Sequence, residues 1–121
     1  MAASVLFLEY PKCSTCQKAR AWLDERGVAY EARSIVEDNP SADELRRWHE
    51  LSGLPLRRFF NTSGMLYREM ELAKRLPDLD DQAQYDLLAT DGMLVKRPLL
   101  VTEATAIPGF KEATWAEALG L

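Results

Sequence analysis

The chain has 121 residues, 47% of them hydrophobic, enough to bury one core without staples, and a single domain over residues 1–121 is expected. A formal net charge of -4 speaks against a general polyanion binder, so no direct nucleic-acid contact is expected. The opening stretch Met1 to Glu9 has no cationic leader, and its apolar run is too short for a signal-peptide core or a membrane span. A soluble, cytoplasmic protein with no membrane partner is the expectation.

In chain order, Val5-Leu6-Phe7-Leu8 is a continuous apolar run closed by Tyr10-Pro11, the pattern of a buried strand in a parallel sheet. From Thr15 to Arg26, Ala19, Trp22 and Leu23 recur at helical spacing, and Gly27 supplies a stop. Residues 28–33 read as a second strand, which completes a βαβ unit. Ser41 and Glu44 have capping-box spacing ahead of a helix that ends near Gly53, with Leu45, Trp48 and Leu51 as its core stripe. The stretch from Leu56 to Gly64 mixes cations, aromatics and turn formers, and short helices are expected there. Two more helices are expected over 72–76 and 80–90, the second capped by Asp80 or Asp81, apolar at Ala83, Leu87 and Leu88, and closed near Gly92. Residues 99–102 and 105–107 form a predicted antiparallel hairpin, and 111–119 a closing helix. The order βαβ, helices, ββα defines an α/β, thioredoxin-like mixed sheet with a helical insertion over about residues 40–92.

Both cysteines lie in Tyr10-Pro11-Lys12-Cys13-Ser14-Thr15-Cys16-Gln17-Lys18, where the first strand gives way to the first helix. Positions i and i+3 share a helix face within bridging range, so this pair can form a reversible disulfide. Cys13 would sit near unsatisfied N–H groups at the positive end of the helix, with Lys12 and Lys18 adjacent in sequence, and each favours the thiolate. Cys13 is therefore the expected nucleophile. A structural zinc site wants four ligands, and the chain offers only His49 and carboxylates besides these two thiols. Two inert, buried cysteines are the plainer alternative. A purely structural disulfide would close too short a loop to constrain the unfolded chain much.

These residues, together with Phe59-Phe60-Asn61-Thr62-Ser63-Gly64, Tyr67-Arg68 and Lys96-Arg97-Pro98-Leu99-Leu100-Val101, resemble the family of thioredoxin-fold arsenate reductases and the Spx regulators. The resemblance runs from about Leu6 to Trp115. It implies that Cys13 is the reactive cysteine, that Arg97 lies beside it, and that Pro98 is in the cis form facing the cysteine. Substrate contacts are expected at Lys12, Ser14, Thr15 and Pro98, and Arg57 or Arg58, Arg58 foremost, could supply another cation from the middle segment, where a solvated basic pair over a small apolar contact is the plainer alternative. A fixed guanidinium at Arg97 would stabilise a thiolate and offer a fork to an oxyanion. Glutaredoxin-coupled arsenate reductases use one reactive cysteine and an arginine cluster. This chain has the additional Cys16, and its late loop Ile107-Pro108-Gly109-Phe110-Lys111 lacks arginine.

Three functions are consistent with this pattern. In the first, Cys13 attacks a disulfide, glutathione adduct or oxidised substrate, Cys16 resolves the intermediate, and glutathione with glutaredoxin, or thioredoxin, restores the thiols. In the second, a Spx-like redox sensor, the Cys13–Cys16 disulfide alters docking on the C-terminal domain of the RNA polymerase α subunit. The third is arsenate reduction, with the oxyanion held by Arg97. The expected partners are thus a small thiol or oxyanion substrate and a redox partner protein. No bound organic cofactor and no metal is expected, and His49, on a distant helix, is not expected to act in catalysis. Trp22, Trp48, Trp115, Met65, Met70 and Met93 are read as packing residues.

Overall fold

The computed structural model describes residues 4–121; Met1, Ala2 and Ala3, part of the N-terminal reading, lie outside the described residues. A four-stranded sheet is built from β1 (Leu6–Glu9), β2 (Glu31–Ser34), β3 (Leu99–Val101) and β4 (Ala106–Pro108), in the order β2-β1-β3-β4. β1 runs parallel to β2 and antiparallel to β3, and β3 and β4 form the antiparallel hairpin. The sheet is therefore mixed, as expected, with its one parallel pair spanned by α1 (Ser14–Glu25). β2 starts three residues later than the sequence pattern suggests. Gly27 adopts a left-handed φ of 65° after the helix, and the Val28 N–H closes back onto the Leu23 carbonyl at 3.1 Å, so the chain needs Ala29 and Tyr30 to reach the sheet.

Alternation along the central strands divides the core into two layers. Phe7 and Leu100 point to one face, where they meet Ala19, Trp22 and Leu23 of α1 and Trp115 of α6 (Glu112–Leu119). Leu8, Leu99 and Val101 point to the other, where the insertion supplies α2 (Ala42–Ser52), α3 (Met65–Glu69), α4 (Leu72–Arg75) and α5 (Asp81–Ala89). All three tryptophans are buried, so the packing assignment holds for them. A βαβ unit and a ββα unit thus share one sheet, and the insertion covers its far side.

The local signals at α2 and α5 work as read. Ser41 Oγ accepts from the Glu44 N–H at 3.1 Å while the Glu44 carboxylate accepts from the Ser41 N–H at 3.0 Å, and Asp80 accepts from the Ala83 N–H at 2.8 Å. Leu51 departs from the expected stripe and is exposed. Six residues beyond Leu45, it has rotated about 120° away from it, and Trp48 with half-buried His49 carries the contact instead. Likewise Tyr85 and Leu88 are the buried residues of α5, while Ala83 and Leu87 lie at its margin. Arg33 of β2 clamps α2 through a paired contact to Glu44 at 2.7 and 2.9 Å. That guanidinium holds the Glu44 carboxyl down at about 2.

The segment from Leu56 to Gly64 forms a 3-10 turn at Leu56–Phe59 followed by tight turns. Phe60 pairs with Val95 in an isolated antiparallel bridge, with the Asn61 N–H on the Leu94 carbonyl at 2.7 Å and the Lys96 N–H on the Phe59 carbonyl at 2.8 Å. This bridge ties the insertion to the approach to β3. A second tie is Gly92, where a Cβ would lie 1.7 Å from the Ile35 carbonyl oxygen; only a bare α-carbon allows the chain to pass.

Candidate active site around Cys13

β1 ends at Glu9, and the turn through Pro11 is closed by the Cys13 N–H on the Tyr10 carbonyl at 2.9 Å. Cys13 then stands at the N-cap of α1 with extended backbone angles (φ -86°, ψ 122°), so its side chain faces the first N–H groups of the helix. Cys16, one turn on, is 1% exposed, whereas Cys13 is half-buried. The buried Glu9 carboxylate pairs with Arg20, one turn beyond Cys16, and fixes the helix against the end of β1.

The two thiols, both free, occupy opposite electrostatic environments. Burial pushes the Cys13 thiol up, but the Cys16 N–H and thiol, the Thr15 N–H and the Arg97 charge outweigh it, and its pKa falls below the ordinary thiol value. The N–H contacts fall short of full capping bonds to the neutral thiol and favour the thiolate instead. For Cys16 burial dominates, and with the neighbouring Cys13 sulfur it pushes the thiol up to about 12. One sulfur is poised to carry charge and the other to keep its proton. Lys12 and Lys18, read as further sources of thiolate stabilisation, both lie exposed, and neither is among the causes of the shift.

A cavity of about 630 Å³ opens in front of Cys13. Its wall brings together Cys13, Thr15 and Arg97 from the expected set and adds Lys96, together with Asn61, Ser63, Gly64, Met65 and Leu66 from the insertion. Arg97 lies over the Tyr10 ring, with its guanidinium carbon 5.0 Å from the ring centre, and donates weakly to the Met93 carbonyl at 3.4 Å. The Arg97–Pro98 peptide is cis, and Pro98 is buried and does not line the cavity. Ser14 begins α1 and is exposed, outside the cavity wall, as is Lys12.

Arg58 departs from its expected placement. It lines a separate, larger groove of about 850 Å³ that runs beside β4 and α6 and does not contain Cys13. Arg58 sits in the exposed part of the Leu56–Phe59 turn, before the bridge at Phe60, whereas Asn61, just past that bridge, lies on the cavity. Lys96 lines both spaces, its stem running beside Gly109, where the positive φ of 85° and not the space favours glycine. Met65, 76% exposed, and Met93 also lie on the Cys13 cavity, so their positions go beyond the packing role read from sequence. His49 is remote from these groups, hydrogen-bonded to the Tyr85 hydroxyl at 2.7 Å between α2 and α5. Among the described residues no group of three or more His, Cys, Asp or Glu side chains could hold a metal ion, and no helix is long and apolar enough to cross a membrane.

A helix that starts on a CxxC, behind a strand of a mixed sheet and beside a cis-proline, places the chain in the thioredoxin-like fold class. The chain belongs to the ArsC family, whose model matches residues 8–118. It is 47% identical over 114 residues to the uncharacterised protein YusI of Bacillus subtilis, covering 94% of this chain and 97% of that protein. An ArsC-family-related protein from Bacteroides fragilis, known as a crystal structure, superposes with a TM-score of 0.93 at 52% identity, over 97% of this chain and 98% of that one. The global transcriptional regulator Spx of Listeria innocua is 26% identical over 102 residues, covering 84% of this chain and 76% of the regulator.

Proposed function

We propose that the protein is a thiol-disulfide oxidoreductase that works through Cys13 and Cys16. The observation that carries this reading is the split between the two sulfurs: Cys13 favoured as thiolate at the helix start beside Arg97, Cys16 protonated and buried one turn behind it. The Cys13 thiolate attacks one sulfur of a substrate disulfide, forming a mixed disulfide and expelling the other sulfur as a thiolate. Cys13 is then neutral, and its contributions to the high Cys16 pKa, a hydrogen bond and a charge, disappear. Cys16 gives up its proton, attacks the Cys13 sulfur and releases the second substrate thiolate, leaving the Cys13–Cys16 disulfide. Two electrons have moved to the substrate. Glutathione with glutaredoxin, or thioredoxin, returns them in a reducing cytoplasm.

The test is turnover of 2-hydroxyethyl disulfide with either donor, counted above the rate of that donor system alone because glutaredoxin and thioredoxin reduce this disulfide themselves, alongside arsenate as the alternative acceptor. Cys13→Ser is expected to lose activity by at least about 1,000-fold, and Cys16→Ser to accumulate the mixed disulfide on Cys13, visible by mass spectrometry. Full turnover by Cys13→Ser would end this reading. Turnover of arsenate but of no disulfide would move the assignment to arsenate reduction, with Arg97 as the oxyanion fork.

A second reading is supported by the match to Spx over most of the chain together with the CxxC: a redox-sensing regulator that docks on the C-terminal domain of the RNA polymerase α subunit. Pull-down of that domain by reduced and by oxidised protein tests it. Absence of binding in both states would remove it.

A further inference from the structure

The Cys13 cavity carries charges of both signs. Lys96 and Arg97 lie on its wall, and so do Glu69, from the end of α3, and Asp91, ahead of the 3-10 turn at Gly92–Leu94. Among the described residues none of these four makes an ion pair within 4.0 Å, although they share one cavity. One Asp91 oxygen accepts from the Met93 N–H at 2.9 Å, which holds the carboxylate in place while its other oxygen is not committed by that bond. Arg97 leans on the same turn through the Met93 carbonyl. Two positive and two negative side chains thus stand around a space of about 630 Å³, held apart by the turn and by α3.

A free oxyanion suits such a space poorly, because attraction to Lys96 and Arg97 is opposed by Glu69 and Asp91, which line the same cavity. A ligand with one charge of each sign satisfies both pairs of side chains. Met65 and Met93 on the wall add polarisable thioethers suited to a sulfur-bearing chain. We infer that the Cys13 cavity selects small thiols, and the disulfides formed from them, that carry both a free ammonium and a free carboxylate, with Lys96 and Arg97 receiving the carboxylate and Glu69 and Asp91 the ammonium. This rests on Cys13 being the sulfur that meets substrate, but it concerns recognition and can be measured without turnover.

The experiment follows protection of Cys13 from alkylation by thioethers that cannot exchange: S-methylcysteine, its N-acetyl derivative without the ammonium, its methyl ester without the carboxylate, and sulfate. S-Methylcysteine is expected to half-protect at a concentration about tenfold below either derivative, as for loss of one charge-assisted contact. Glu69→Gln is expected to erase the advantage over the N-acetyl compound, and Lys96→Met the advantage over the ester. Equal protection by all three thioethers, or sulfate as the best protector, overturns the inference, as does an unchanged preference in Glu69→Gln. Failure of disulfide turnover alone would instead strike the oxidoreductase reading and leave this preference standing.

Discussion

Two concave regions of the molecule differ in a way that size would misjudge. The groove beside β4 is the larger, about 850 Å³ against about 630 Å³, and it too holds cations, Arg58, Lys96 and Lys111. Among the described residues no cysteine lines it, and the helix start it does have, at Lys111 of α6, carries no thiol. The smaller cavity has a sulfur at the N-cap of a 12-residue helix, an arginine whose charge acts on that sulfur, and a second thiol held behind it. Chemistry follows from what the backbone dipoles and charges do to one atom, and volume alone does not supply that.

The largest expected contrast between the regions is at Arg97. Removing its charge in Arg97→Gln is expected to lower kcat/KM for 2-hydroxyethyl disulfide by about 100-fold, the scale for loss of one preorganised electrostatic partner. An effect under about twofold would detach Arg97 from the chemistry. Next is Glu44, on the α2 helix whose end walls the larger groove. Its folded pKa of about 2 lies below the unfolded value of about 4.3, so its contribution is full above pH 4.3 and is lost as pH falls towards 2. Glu44→Gln is expected to cost about 2 kcal/mol at pH 7 in urea unfolding and to flatten the acid limb of the stability curve, with Cys13 reactivity retained. Loss of Cys13 reactivity in the folded variant would mean the two regions are coupled. The smallest expected effect is at Arg58, where Arg58→Gln should change disulfide turnover by less than about twofold because its side chain lines the other groove. A drop comparable with Arg97→Gln would erase the distinction between the two spaces.

Much of this arrangement is legible in the sequence where the cause is local. The apolar run at Leu6 to Leu8, the helix after Cys13, the Ser41–Glu44 capping box, the Asp80 cap and the hairpin through Leu99 and Ile107 each follow from residues within a few positions of one another. What escapes is set by contacts distant in sequence. The Phe60–Val95 bridge, which brings Asn61 to the cavity and leaves Arg58 outside it, joins segments 35 positions apart (95 minus 60). Gly92 closes near a helix end as read, but its closer constraint is the Ile35 carbonyl across the fold. Glu69 and Asp91 carry no motif signal, since charged residues beside short helices are ordinarily solvated, and Lys96 lies inside the Lys96-Arg97-Pro98 motif without a role of its own read from it. Only the turn at Gly92–Leu94 and the placement of α3 put them on one wall.

The most direct measurement is site-resolved alkylation of the reduced protein as a function of pH, with each cysteine followed by mass spectrometry. Cys13 is expected to react with a midpoint below the free-thiol value of about 8.5, while Cys16 stays unmodified until strongly alkaline pH. Two cysteines titrating together near 8.5, or Cys16 reacting first, would contradict the account.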